Sequence, residues 1–434
     1  MAATRPVVGR AHDGTAVVAP LAGRYLQVRD LTEALAAPLS GEDQTVQSMP
    51  DVSPTKWHRA HTTWFFETFL LGPRLPGYRE FHPEFAYLFN SYYEALGARH
   101  PRPQRGLLSR PGVTEIGRYR RHADAGMLDL LDGALTDDVA WLVDLGLHHE
   151  QQHQELLLMD IKHVLSLNPM RPAYHPSRPR AGGADPAPAR WIGHDGGLCE
   201  IGHEGGDFAF DNESPRHRVH LAPFALADRP VTCGEWLAFM DDGGYRRPEL
   251  WLSDGWGAVL AGPWEAPLYW SRARDGDGWE VFTLAGARPV DPAEPVSHVS
   301  YYEADAFARW TDTRLPTEAE WEVVATGQAA ATGQAGAGRF LDLDVLHPLP
   351  ASGPTWFGDV WQWTSSAYLP YPGFRPAPGA VGEYNGKFMV NQHVLRGGCC
   401  ATPPGHVRPT YRNFFPPGAR WPFTGVRLAR DAGA

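Results

Sequence analysis

Two histidines four residues apart, His149 and His153 in His149-Glu150-Gln151-Gln152-His153-Gln154-Glu155, are the strongest chemical signal in this chain. On a helix such a pair projects from one face and can grip one metal ion. Two ligands alone do not make a site. A third candidate stands upstream in Trp57-His58-Arg59-Ala60-His61-Thr62-Thr63-Trp64-Phe65-Phe66-Glu67, where His61 shares an apolar stripe with Trp57, Trp64 and Phe65. Three neutral imidazoles from two helices leave a divalent metal with open coordination positions, the arrangement of a catalytic centre rather than a structural one. His148 lies about 100 degrees round the helix from His149, and His58 about 60 degrees from His61, so both are expected to support ligands rather than to bind. Glu155 is expected to orient a ligand or make a bundle hydrogen bond.

The elements that must hold these histidines are legible as periodic stretches. Helices are expected near 24–38, from Ser53-Pro54 onward with serine as the cap and proline first, and over 137–167. In the last of these, Leu142, Leu145, His149, Gln152, His153, Leu156 and Leu157 share one face. Residues 76–126 read as mixed structure containing Tyr92-Tyr93 and a basic stretch with Arg102 and Arg105. Proline and glycine between Asn168 and Arg190 cannot continue a helix, which divides the chain into a helical domain over 1–170, a linker over 171–190 and a second domain over 191–434. The second domain holds most of the 46 Gly and 40 Pro and many of the 16 Trp, as a loop-heavy domain would. The repeated Ala-Thr-Gly-Gln-Ala within 325–338 reads as an exposed loop insertion.

A length of 434 residues agrees with two domains, and a net charge of -11 supplies no basic face, so no nucleic acid is expected as a partner. No apolar run reaches the length of a membrane span, and Met1-Ala2-Ala3-Thr4-Arg5-Pro6 lacks the start of a signal peptide, so no membrane association and a cytoplasmic location are expected. Four cysteines do not make a disulfide framework, and Cys399-Cys400 reads as a pair of buried small residues. Oligomeric state is not legible.

Around its histidines the N-terminal part resembles the DinB-like four-helix bundles, whose metal site takes one histidine from an early helix and two from a later His-x-x-x-His-x-Glu helix, here His61, His149, His153 and Glu155. The remainder resembles the sulfatase-modifying-factor domain, the C-type-lectin-like fold of formylglycine-generating enzymes. The segments that carry this likeness include Arg314-Leu315-Pro316-Thr317-Glu318-Ala319-Glu320-Trp321-Glu322, Gly358-Asp359-Val360-Trp361-Gln362-Trp363-Thr364, Leu395-Arg396-Gly397-Gly398 and Gly425-Val426-Arg427-Leu428-Ala429. Fused in this order and joined by Tyr411-Arg412-Asn413-Phe414-Phe415, the two parts resemble the ergothioneine-biosynthesis sulfoxide synthases over nearly the whole chain. The implied fold class is α plus α+β. The implied activity is that of an oxidoreductase using Fe(II) and O2 to join a cysteine-containing thiol to the imidazole C2 of hercynine (N-alpha-trimethylhistidine), with oxidation of the sulfur to a sulfoxide.

The resemblance further implies that His61, His149 and His153 hold the iron, that Gln152 meets the hercynine imidazole, and that Asn413 meets its carboxylate or trimethylammonium end. A permanent cation without N–H groups is held by aromatic faces, and Trp57, Phe414 and Trp421 are the candidates. The reaction needs a phenol to deliver a proton or electron, for which Tyr92 or Tyr93 is the first choice and Tyr368 and Tyr371 are the rivals. Phe415 stands where the branch using gamma-glutamylcysteine has an acidic residue, so free cysteine is the expected thiol and gamma-glutamylcysteine the alternative. Arg420 is the first candidate for the cysteine carboxylate, with Arg102 and Arg105 as alternatives. Three rival readings stand beside this one. A DinB-type metal-dependent thiol transferase would need no oxygen. A formylglycine-generating type of oxidase needs a cysteine spacing that Cys399 and Cys400 do not match, and a lectin-like binding module leaves the three histidines unexplained.

Overall fold

In the computed structural model of this chain, residues 21–175 and 188–432 are described, apart from 274, 275, 277, 333–337, 352 and 384. Four long helices make the N-terminal unit: α1 (Leu21–Ala36), α2 (Thr55–Phe66), α3 (Val113–Leu131) and α4 (Asp137–Ser166). Helix α2 is buried on every side and runs on through a π-helical turn, Glu67–Leu71. It begins one residue later than the Ser53-Pro54 reading. Pro54 is the cap in an extended conformation, while Ser53 gives its backbone N–H to Asp160 and its hydroxyl accepts from Arg105. Helix α3 begins inside the stretch read as mixed and runs five residues past its end. Its buried residues Ile116, Tyr119, Ala123 and Met127 do recur at helical spacing, but the same face also buries Arg120, which hides the apolar stripe.

A buried charge cluster sets the register of the bundle. Glu150, next to His149, is fully buried and takes Arg29 of α1 at 2.8 Å, Arg120 of α3 at 3.0 Å and the Thr32 hydroxyl at 2.7 Å. Arg29 also donates to Thr63 of α2, so all four helices meet at one carboxylate. Burial alone would raise the Glu150 carboxyl, and the two guanidinium groups outweigh it and hold it below the usual carboxylate range. Removing one partner from such a cluster costs about 3–5 kcal/mol. Helices α2 and α4 cross tightly at Gly146, where a Cβ would stand 2.6 Å from the Phe66 ring. That close crossing is what lets His61 reach His149, one turn farther along α4.

The second unit is built from small sheets. The one facing the bundle has four strands, β1 (Trp361–Ala367), β2 (His393–Arg396), β3 (Asn413–Phe415) and β4 (Thr424–Gly425), in the order β3-β2-β1-β4. β2 runs antiparallel to both β1 and β3, with Leu395 opposite Asn413 and Val394 opposite Phe414. The helix Glu318–Thr332 packs beside this sheet, its Trp321 indole donating to Gln362 of β1 at 2.7 Å. This helix corrects the loop reading of 325–338: the Ala-rich repeat continues it with Ala325 buried, and 333–337 lie outside the described residues.

One apolar core spans both units, running from Leu157, Leu158 and Ile161 of α4 to Phe210, Trp361 and Tyr411. The start of the expected linker is part of it. Tyr174 is buried, its hydroxyl bonds Leu35 of α1, and its N–H bonds Leu284 of the second unit at 2.8 Å. Residues 176–187 of that linker lie outside the described residues. Glu155 also faces this junction, accepting from the Trp361 indole at 2.6 Å and from the Thr402 hydroxyl. Burial pushes its carboxyl up to about 7 against those two donors. Among the described residues no helix is long and apolar enough to cross a membrane.

Candidate metal centre and its cavity

His61 from α2 and His149 and His153 from α4 each offer one ring nitrogen, and the three nitrogens lie within 4.8 Å of one another. His61 Nε2 and His149 Nε2 are 3.2 Å apart. Burial pushes His61 and His153 well below the ordinary imidazole range and His149 down to about 3, so all three rings are neutral and present lone pairs. Neutral imidazole lone pairs converging at this distance fit a divalent cation among them. Glu155 adds no charge to this set, because it is turned into the domain junction.

The outward nitrogens settle which inward ones are free. His61 Nδ1 donates to the Phe89 carbonyl at 2.6 Å, leaving its Nε2 lone pair inward. His153 Nδ1 lies 2.9 Å from His58 Nδ1, and His58 Nε2 lies 3.0 Å from Asp160. Asp160 accepts, so His58 carries its proton on Nε2, offers a lone pair at Nδ1 and receives the Nδ1 proton of His153. His153 Nε2 is thereby left for a metal. His58 is therefore a positioning residue, as its offset on α2 predicts. Trp57 and Trp64 stack on the His61 ring at 4.6 Å and 5.5 Å, and Phe65 packs on His149 at 4.8 Å, so the rings cannot swing.

A cavity of about 300 Å³ opens beside His153. From the helical unit it is lined by Trp57, Tyr92, Arg102, Arg105 and Gln152. From the second unit come Tyr411, Asn413, Phe414, Phe415 and Trp421. Most of the residues expected around a substrate are thus in one place. Three expectations need correction.

Arg420 is not in the lining. It donates to Glu303 at 2.8 Å and stacks on Trp264, because Glu303 caps its own helix in full burial and needs a cation there. Arg105 takes the place beside the cavity. It is 3% exposed, stacks 3.4 Å over the Trp57 ring and donates to Ser53 at 2.9 Å and Ser91 at 3.3 Å. No carboxylate among the described residues forms an ion pair with it, its Nε has no partner, and burial pushes its pKa well down. Trp57 is the second, in part: it lines the cavity as expected, but its ring already stacks with His61 and Arg105, as the Phe414 ring does with Tyr368.

The third correction concerns the phenols. Tyr92 faces the cavity, but Tyr93 is 1% exposed, packed among Tyr92, Trp64 and Phe69. Tyr368 stacks on Phe414 at 4.1 Å and accepts from Asn212 at 2.9 Å, while Tyr371 bonds Arg396 at 2.9 Å, and neither lines the cavity. Tyr411 does, with its hydroxyl 2.6 Å from Gln152 Nε2 and 3.2 Å from His406 Nε2. Its position two residues before Asn413 in an extended segment is the signal that could have found it. Cys399 and Cys400 are free and buried, and burial pushes both thiols well up, away from reactivity.

The chain matches the DinB superfamily over 24–157 and the sulfatase-modifying factor enzyme 1-like domain over 188–339 and 355–432. It is 32% identical over 421 residues to the hercynine oxygenase of Mycolicibacterium thermoresistibile, covering 88% of each chain. To the hercynine oxygenase of Mycolicibacterium smegmatis it is 32% identical over 417 residues, covering 89% of this chain and 92% of the relative. The formylglycine-generating enzyme of Streptomyces coelicolor is 34% identical over 205 residues, which cover 42% of this chain.

Proposed function

The chain belongs to the hercynine oxygenase family of oxidoreductases, and from that premise we propose that it is an Fe(II)- and O2-dependent sulfoxide synthase joining hercynine to free cysteine. The observation that carries this reading is a neutral three-histidine cluster beside a cavity with a buried guanidinium that forms no ion pair among the described residues on one side and aromatic faces on the other. Iron(II) held by three uncharged ligands would keep its full positive charge, lower the pKa of a bound thiol and act as the redox partner for O2. In the balanced reaction hercynine loses its C2 hydrogen and cysteine its thiol proton as the C2–S bond forms. One oxygen atom ends on sulfur and the other leaves as water.

The chain's own residues then have defined work. Gln152 Oε1 accepts the imidazole N–H, and Asn413 with the Phe414 and Trp421 rings receives the betaine end. Arg105 grips the cysteine carboxylate, its Nε–H being without a partner among the described residues while its other two nitrogens donate to Ser53 and Ser91. Phe415 gives no counter-charge to a gamma-glutamyl ammonium, which favours free cysteine. Tyr92 is the phenol placed to deliver a proton, and Tyr92→Phe should keep hercynine binding while slowing sulfoxide formation.

One observation favours a second thiol. Arg102 lines the cavity beside Arg105, and two guanidinium groups suit the two carboxylates of gamma-glutamylcysteine. An aerobic assay of iron-loaded protein with hercynine and each thiol, with products identified by mass, decides between them. A higher kcat/KM with gamma-glutamylcysteine selects the second reading. Equal turnover in an anaerobic chamber would sink both and favour a thiol transferase.

A further inference from the structure

We infer that Tyr411 is a positioning residue that fixes which end of the Gln152 amide faces the imidazole substrate, and that His406 in turn fixes Tyr411. The inference rests on the hercynine reading above and adds the device that sets the polarity of that subsite. The two ends of a carboxamide have nearly the same shape but opposite hydrogen-bonding sense, so an unrestrained glutamine presents either an acceptor or a donor.

The hydrogen bonds around Gln152 run in one direction. Gln152 Nε2 donates to the Tyr411 hydroxyl at 2.6 Å, which leaves the phenol its own proton to place. The acceptor is His406 Nε2 at 3.2 Å. That nitrogen accepts only when His406 is neutral with its proton on Nδ1, and Nδ1 lies 3.0 Å from His148 Nδ1, to which it donates. Burial, with His148 and Arg408 beside the ring, pushes His406 well below the ordinary imidazole range and keeps it neutral. His148 is itself stacked on Phe208 at 4.1 Å, so the chain of donors ends on a fixed ring.

With Nε2 committed, Oε1 is the end of Gln152 left over, and it is buried without a partner among the described residues. An unsatisfied buried acceptor costs about 1–3 kcal/mol, which a ligand N–H recovers. The reverse direction, with His406 donating to Tyr411 and Tyr411 to the amide oxygen, would aim an NH2 group into the cavity. That group would repel an imidazole N–H. Gln152 belongs to α4, whereas Tyr411 and His406 belong to the second unit, so the bundle alone cannot set this polarity.

The test uses full-length protein. Tyr411→Phe keeps the ring against Trp361 and Phe210 and removes only the hydroxyl. In ligand-free protein, the Gln152 side-chain NH2 resonances, assigned by their loss in Gln152→Leu, should be shifted and slow to exchange in the parent and collapse to free-amide values in Tyr411→Phe and His406→Leu. In the iron-loaded enzyme, Tyr411→Phe should raise KM for hercynine about tenfold with KM for cysteine unchanged, and should add nothing in a Gln152→Leu background. Unaltered NH2 resonances in Tyr411→Phe would overturn the inference, as would effects that simply add in the double variant. A fall in kcat with KM unchanged would also overturn it, by making Tyr411 catalytic. If the parent does not bind hercynine, the proposed function fails, and the resonances still decide whether Tyr411 holds Gln152.

Discussion

On the helical wall of the cavity the histidines and Gln152 stand within about a turn of one another along α2 and α4, whereas on the sheet wall the groups depend on partners far away in sequence. His149, Gln152 and His153 share a face because a helix repeats every 3.6 residues. Arg412, beside Asn413, is instead consumed by Glu318 at 2.9 Å and by the Asn212 carbonyl at 2.9 Å, 200 residues upstream. The difference teaches what each wall can do. The helical wall holds neutral rings whose protons are assigned by close neighbours, which suits metal binding. The sheet wall is braced by long-range ion pairs and offers aromatic faces, which suits holding the remote end of a substrate.

The largest expected effect lies on the helical wall. Ala at His61, His149 or His153 should each abolish stoichiometric metal binding and lower turnover by at least about 10³-fold, with helix content retained because Glu150 still ties the four helices. Any pair of these changes should be no worse than one. Metal content close to that of the parent in any of the three would break the comparison by moving the site off α2 and α4.

The next effect separates the two arginines. Arg105→Ala should raise KM for cysteine by about 10–100-fold and leave KM for hercynine unchanged. Arg420→Ala should leave both KM values alone and lower the unfolding midpoint, since buried Glu303 loses its cation at a cost of about 3 kcal/mol. The opposite pattern would return the carboxylate anchor to Arg420. A change about tenfold in size is expected from His58→Ala, which leaves the His153 proton without its acceptor and should weaken metal affinity by about 10-fold or somewhat more. Unchanged affinity, measured by competition with a chelator, would mean that ring stacking alone aligns His153.

A last effect, spread over pH rather than seen at one condition, tests the seam between the walls. Lys162 of α4 is fully buried, 2.7 Å from His298 Nε2 in the second unit, and burial pushes its amine down to about 7 from an ordinary 10.5. An amine depressed in the folded state binds more protons when unfolded, so stability should be greatest above about pH 10 and fall as pH drops toward 7. Denaturation midpoints of the parent should show that slope, of up to about 1.4 kcal/mol per pH unit, and Lys162→Met should flatten it. A parent curve already flat over that window would show that the amine keeps its proton at the seam.

The pattern of local spacing made one wall readable. Helices α1, α2 and α4, the shared face of His149 and His153 and the offset of His58 from His61 follow from period and position within single helices. Helix α3 was hidden because Arg120 sits in its buried face, an arrangement that makes sense only once Glu150 and Glu33 are seen beside it. On the other wall, the segment around Asn413 is visible as a motif and Tyr411 stands in it two residues before Asn413, but its bonds to Gln152 and His406 are set by the packing of the two units.

By itself, then, the order of residues determined what recurs at short range: the periodic helices α1, α2 and α4, and which imidazoles share a face, because backbone geometry alone enforces those relations. Only the tertiary structure decided which arginine lacks a carboxylate, which tyrosine reaches the cavity, and which way Gln152 points. Those outcomes depend on the partner each polar atom finds once desolvated, and Glu303, Asn212 and Gln152 reach Arg420, Tyr368 and Tyr411 only through long-range packing of the chain.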